Sequence, residues 1–218
     1  MDIYYLGHSS FRIKGKNATL ITDPFSEKMT GLKFPKTEAD IVTISHNHED
    51  HNQSDLVEGN PYVISNPGEY EIKNVSMFGI GAFHDAKEGH EKGKNTIFII
   101  EMDKIRICHL GDLGHKLDEK ELEEVDGVDI LMIPVGGSVT VNPAEAMQVI
   151  NQIEPKIVLP MHYNEEGLNQ QIFGDLAPIE AFLKEAGDKI ENLPKLTVSF
   201  DSLPEEKQQI IVLERKNG

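Results

Sequence analysis

The 218-residue chain has one cysteine and no tryptophan, and its 21 Lys and Arg face 37 Asp and Glu, for a formal charge of −16. The single thiol, Cys108, excludes an internal disulfide and suits a reducing compartment, so a cytoplasmic setting is expected. Within Ile105-Arg106-Ile107-Cys108 it reads as a packed strand residue rather than a nucleophile or ligand. The shortage of cations argues against a nucleic-acid partner held through phosphate contacts and against adsorption to anionic lipid. No apolar run reaches the ~18 residues of a membrane span. The opening Met1-Asp2-Ile3-Tyr4-Tyr5 lacks the basic region of a signal peptide. No Ser/Gly-rich or Pro-rich tract marks a linker, so residues 1–218 are read as one domain large enough to bury its own core.

What the chain does hold is a cluster of three imidazoles and two carboxylates, His46-Asn47-His48-Glu49-Asp50-His51. It follows Asp40-Ile41-Val42-Thr43-Ile44-Ser45, a β-branched apolar run that reads as a core strand. The histidines therefore stand where a rigid strand gives way to a loop, a frequent place for chemistry. His46 and His48 are two apart, so extended backbone puts them on one side. Asp50 and His51 leave on the turn and can face a second ion.

Along the rest of the chain, three further apolar runs end on chemistry: Val75 to Phe83 at His84, Ile105 to His109 at Asp112, and Ile157 to Met161 at His162. Neutral imidazole and carboxylate suit Zn²⁺, at one or two ions per chain, with Mn²⁺ or Fe²⁺ as alternatives. The first half reads as a meander, with strands at Ile3–Leu6, Phe11–Lys14 and Ala18–Thr22, and further strands at Pro61–Ser65 and Glu69–Lys73. His8 falls in the first turn and reads as a hydrogen-bonding turn residue. Residues 53–57 read as a short helix. Capping patterns start helices at Asp118 and at Asn142-Pro143-Ala144-Glu145, and residues 176–186 form a last helix ending at Gly187. Strands at 95–102, 129–135, 196–200 and 209–213 complete the set. Strand-rich blocks with helices inserted in both halves suggest two sheets packed face to face with helices outside.

This set of residues resembles the metallo-β-lactamase superfamily, an α/β (α+β) four-layer αββα sandwich with one or two metals at one edge. His46-x-His48-x-Asp50-His51 matches the superfamily signature in full. The resemblance implies that His46, His48 and His84 hold a first metal, that Asp50, His51 and His162 hold a second, and that Asp112 bridges them. It further implies that two ions, about 3.5–4 Å apart, share a hydroxide whose parent water has a pKa near 7, with Asp50 orienting it or relaying a proton. Asp23 would fix a ligand imidazole, the alternative being a plain Asp-Pro turn; His8, His109, Tyr163 and Asn164 would contact substrate or the ligands' outer partners. Gly7-His8-Ser9-Ser10-Phe11, Thr22-Asp23-Pro24, Ile133 to Gly137 and Pro160 to Asn164 look like a compact hydrolase branch. That branch includes lactonases of phosphorylated sugar acids and N-acyl-phosphatidylethanolamine phospholipase D enzymes.

One departure is the third-histidine segment, His84-Asp85-Ala86-Lys87-Glu88-Gly89-His90, which lacks the Pro-Gly-His-Thr run of thiolesterase-type members and leaves His90 as a rival to His84. The expected activity is metal-dependent hydrolysis of a small ester, lactone or phosphoester. The alternatives are a phosphodiesterase or nuclease of the same fold, or a non-catalytic metal-binding or regulatory protein. The expected partner is a small-molecule substrate, with a homo-oligomer left open. Two loops, residues 25–39 and 85–94, are expected to set specificity.

Overall fold

The computed structural model of the protein describes residues 1–187 and 190–216. Strands β1 (Asp2–Gly7), β2 (Ser10–Lys14) and β3 (Thr19–Thr22) open the chain, followed by the one-turn helix α1 (Glu27–Thr30) and the short β4 (Thr37–Glu38). Then come β5 (Ile41–Thr43), β6 (Val57–Glu58), β7 (Tyr62–Ile64), β8 (Gly68–Ile72), β9 (Val75–Phe83), β10 (Lys94–Met102) and β11 (Ile105–His109). The second half alternates α2 (Glu119–Glu124), β12 (Ile130–Pro134), α3 (Pro143–Ile153), β13 (Ile157–Met161), α4 (Gln170–Phe173), α5 (Ile179–Ala186), β14 (Ile190–Leu193), β15 (Leu196–Thr197) and β16 (Gln209–Leu213).

Two sheets result. The six-stranded one runs β15-β1-β2-β3-β5-β7 and the eight-stranded one β14-β16-β13-β12-β11-β10-β9-β8, with β4 and β6 pairing separately. In the six-stranded sheet, β1 to β3 form the antiparallel meander, and β3, β5 and β7 are parallel. In the eight-stranded sheet, β8 to β11 are antiparallel, and β11, β12, β13 and β16 are parallel. Alternation of side chains decides what each face buries. Ile3, Tyr5, Leu20 and Ile41 of the first sheet pack with Met77, Ile97, Ile99 and Ile107 of the second in one large core.

The expected helical layer covers the eight-stranded sheet: α3 carries Ala146, Val149 and Ile150 into the core, and α5 carries Phe182. The opposite face of the six-stranded sheet, with Leu6, Ile21 and Val42, has a thinner cover. There Ala39, Val57 and Phe34, all from the connection around β5, take the place of a long helix. Among the described residues no helix is long and apolar enough to cross a membrane.

Several local expectations shift. The loop at 25–39 contains α1, capped by the Ser26 hydroxyl on Met29 N–H and closed by Gly31 at φ 78°. The last helix begins at Ile179 rather than Leu176, because Pro178 occupies its N-cap and the Ala177 N–H is already bonded to Gly136 O. The expected strand at 196–200 keeps only two residues and turns into a 3-10 turn at Phe200–Ser202. The expected helix at 53–57 is one 3-10 turn, Ser54–Leu56. The half-exposed edge strand β14 and the four-residue α4 carry no periodic signal in the sequence.

Cys108 lies fully buried on β11, and burial pushes its thiol well above the ordinary range. The native protein should therefore resist 5,5′-dithiobis(2-nitrobenzoate) at pH 8 and release one thiol equivalent when urea unfolds it. Rapid labelling in the native state would show that the core around β11 opens.

Candidate metal centre

The turns after β1, β3, β5, β9, β11 and β13 converge on one edge of the sandwich. The edge is fixed first by backbone. Thr96 N–H donates to Ser45 O at 2.8 Å, tying the start of β10 to the end of β5 across the two sheets. Asn95 holds the next turn: its Nδ2 donates to Leu110 O at 2.8 Å and its Oδ1 accepts from Asp112 N–H at 3.1 Å. Gly111 sits between at φ 55°, and a Cβ there would overlap Asn95 and Ser45, so only glycine delivers Asp112.

Asp23 organises the imidazoles. Its Oδ1 accepts from Ser45 N–H at 2.7 Å, and its Oδ2 accepts from Ser45 Oγ at 2.6 Å and from His51 Nδ1 at 2.9 Å. Because the Ser45 proton is given to Asp23, Ser45 Oγ is free to accept from His46 Nδ1 at 2.9 Å. His84 Nδ1 in turn donates to Val139 O at 3.1 Å. These outer bonds put a proton on Nδ1 of His46, His51 and His84 and turn the Nε2 of each inward.

What they face is Asp112. Its Oδ2 lies 3.2 Å from His84 Nε2, 3.2 Å from His162 Nε2, 3.4 Å from His51 Nε2 and 3.9 Å from His46 Nε2. His48 completes one side, its ring 4.5 Å from that of His46 and 5.3 Å from that of His84. On the other side Asp50 Oδ2 lies 3.1 Å from His8 Nε2 and 3.5 Å from His51 Nε2. Ligand atoms of His46, His48 and His84 lie within 4.8 Å of one another, as do those of His8, Asp50, His51 and His162, and those of His46, His51 and Asp112. The structure thus brings together all seven residues that the resemblance groups as ligands. His90 is exposed and belongs to none of these groups.

Charge in the cluster is tightly set. Burial and the adjacent His51 bring the His46 pKa down to about 3, and burial with the adjacent His162 brings that of His8 down to about 4. His51 moves the other way: burial opposes its charge, but Asp112 and Asp50 beside it raise its pKa well above the ordinary value. Burial works against ionisation of Asp112 too, yet His162 and His51 hold it well below the usual carboxylate range. The pocket therefore keeps its carboxylates ionised and calls for positive charge between them.

Its donors are also unspent. His46 Nε2, His51 Nε2, both ring nitrogens of His162, Asp50 Oδ1 and Asp112 Oδ1 are buried without a hydrogen-bond partner. Each such group costs about 1–3 kcal/mol if left so. Nitrogen and oxygen donors in this number, converging on one space, fit a divalent transition ion.

The remaining expected residues divide. Asp23 lies behind His51, as described. His8 stands beside His162 with ring centroids 4.1 Å apart, in a turn at φ 55° whose N–H donates to Glu165 Oε1 at 2.9 Å. His109 faces inward to the protein and spends both nitrogens on backbone, Nε2 on Ser9 O at 2.8 Å and Nδ1 on Gly111 N–H at 3.3 Å. It braces two turns and lines neither cavity at the site. Tyr163 stacks on Tyr5, 6.2 Å between centroids, and Asn164 exchanges hydrogen bonds with Gln170, so neither is brought to the cluster.

Sequence reasoning passed over Ser45, Asn95, Phe173 and Asp85. Asp85 orders the 85–94 loop: its carboxylate accepts from the N–H groups of Lys87, Gly89, Glu91 and Lys92 at 2.8–3.1 Å. Those donors outweigh burial and hold its pKa at about 2. Above the ligands lies a cavity of about 270 Å³, reached by His48, Asp50, His84 and Asp112 and walled by Val139, Phe173 and Leu176.

A model of the β-lactamase superfamily domain matches residues 2–162. A UPF0173 metal-dependent hydrolase of Thermococcus onnurineus is 32% identical over 88% of this chain and 94% of its own length. One from Lysinibacillus sphaericus is 29% identical over 87% of this chain and 99% of its own. A crystal structure from Thermotoga maritima, described as a candidate Zn-dependent hydrolase of the metallo-β-lactamase superfamily, superposes with a TM-score of 0.79 at 34% identity, covering 97% of each chain.

Asp23→Ala removes the acceptor of His51 and of Ser45 at once. It should weaken Zn²⁺ retention by roughly 10–100-fold in competition with a chromophoric chelator. Unchanged retention would show that Asp23 is a turn residue only.

Proposed function

The chain belongs to the metallo-β-lactamase superfamily and, within it, to the UPF0173 metal-dependent hydrolases, and from that membership we propose that it hydrolyses a small carboxyl ester, lactone or phosphoester at a dinuclear, zinc-type centre. The observation that carries this reading is the set of buried, unpartnered donors around Asp112. His46, His48 and His84 would hold one ion, Asp50, His51 and His162 a second, with Asp112 between them. Bound there, the metal supplies Lewis acidity to the oxygen that gains charge and makes water a nucleophile at neutral pH.

The chain's own residues do the rest. Asp23, Ser45 and Val139 O keep the ligand imidazoles in one tautomer and orientation, so little reorganisation accompanies the reaction. Asp50 has one oxygen held by His8 and the other, Oδ1, without a partner. In this reading the ionised Asp50 carboxylate would also orient the attacking water or relay its proton, with His8 fixing the carboxylate's rotation. Val139, Phe173 and Leu176 supply a dry wall against which a small substrate displaces solvent.

Metal analysis of protein from metal-replete growth should find one to two transition ions per chain. Loaded protein should hydrolyse at least one member of a panel of lactones, carboxyl esters and bis-p-nitrophenyl phosphate. His48→Ala should lower that turnover by more than about 100-fold, the upper end of what loss of a ligand's outer partner costs. Metal binding without turnover on any member would favour a binding or regulatory protein; cleavage of the phosphodiester alone would remove the ester and lactone reading.

A further inference from the structure

Two cavities meet at the metal centre. Beside the 270 Å³ space above the ligands lies a larger one of about 580 Å³, which runs from His46 and His48 past Asn66 to Asn95. Two residues line both, His48 and Lys92. Lys92 therefore stands at the junction, one step from the ligands.

The larger cavity has a charge opposite to that of the molecule. The chain holds 37 acidic residues in 218, which would place two or three among the fifteen residues that line this space. It has none, and it has Lys92 and Lys94. The smaller cavity has two acids, Asp50 and Asp112, and both face the metal centre. Among the described residues no carboxylate pairs with Lys92; its neighbour Glu91 is taken by Lys87 at 2.6 Å. Among the described residues the Lys92 ammonium donates to Ser138 O alone, at 3.3 Å, and both residues line the smaller cavity. Its backbone is not free to drift, because Lys92 N–H donates to Asp85 at 2.8 Å and Gly93 O accepts from His84 N–H at 3.1 Å. A cation with no counter-charge, held by its backbone next to a ligand histidine, is a receptor for an anion.

We propose that the substrate carries an acidic group, a carboxylate or a phosphate, that Lys92 binds at the junction of the two cavities while the scissile bond lies over Asp50 and Asp112. This rests on the hydrolase reading, which it narrows to anionic esters and lactones. Asp85 is then a positioning residue: it shapes the loop that aims Lys92.

The test compares two esters with the same leaving group, 4-nitrophenyl acetate and mono-4-nitrophenyl adipate, on Zn²⁺-loaded protein. In Lys92→Met the ratio of kcat/KM for the adipate ester to that for the acetate should fall about tenfold, the scale of one hydrogen bond to a charged group. Lys92→Arg should restore most of it, which loss of loop structure would not allow. An unchanged ratio in Lys92→Met overturns the proposal, whatever the absolute rates. If the wild type cleaves neither ester, the hydrolase reading fails for this class, and calorimetric titration with adipate and with inorganic phosphate decides the anion site. There Lys92→Met should weaken one of the two by about tenfold, which also tells carboxylate from phosphate; equal affinities for both would overturn it.

Discussion

One oxygen atom sets the terms for this fold. Asp112 Oδ2 lies within 4 Å of the Nε2 atoms of four histidines from three different strand ends. An ionised carboxylate at that depth is stable only if positive charge or strong donors surround it. The chain meets the requirement by spending backbone. Gly111 adopts a conformation open to glycine, Asn95 grips both sides of the turn, and His109 braces it from behind. Around Asp112, His46, His51 and His84 are arranged in two tiers, with inner nitrogens turned to the carboxylate and outer ones tied to Ser45, Asp23 and a carbonyl, while His162 has neither ring nitrogen tied. The outer tier fixes direction and the inner tier is left for chemistry.

The legible part of this arrangement was the part written in short-range pattern. His46, His48, Asp50 and His51 sit in six residues behind an apolar run, and the strand that carries them forms where that run predicts. His84, Asp112 and His162 stand at the ends of runs long enough to be read as strands. Other contributions had no local pattern. Ser45 is one serine among several until Asp23, twenty-two residues earlier, is brought against it. Asp85 looks like any loop aspartate until four backbone N–H groups fold onto it. Phe173 belongs to a one-turn helix too short to show periodicity, and only tertiary packing turns it toward the ligands. Tyr163 and Asn164 show the converse: they adjoin His162 in sequence, yet the left-handed backbone at His162, φ 51°, sends the following residues away from the cluster.

Net charge taught a similar lesson. The excess of acid over base excludes partners that need a broad cationic surface, but it says nothing about a single cleft. The lining of the larger cavity is the exception within an acidic molecule, and it could be seen only after folding had gathered Lys92, Lys94 and a set of uncharged residues from four segments. A whole-chain charge is an average, and a ligand meets the local value.

The connection around β5 also has a consequence for how this protein can change. Phe34 packs at once with the outer face of the six-stranded sheet and with the cluster of Phe25, Leu32 and Phe173 beside the ligands, and Met29 reaches the cavity wall. One stretch of chain thus serves as roof for the outer face of the six-stranded sheet and as a side of the reaction chamber. In most enzymes, the loops that face substrate diverge freely because the scaffold beneath does not need them. Here that freedom is curtailed. Variation that retunes this wall also loosens the roof, so the tolerant route to new substrates lies in the 85–94 loop, which lines the same cavity through Lys92 and closes on its own aspartate.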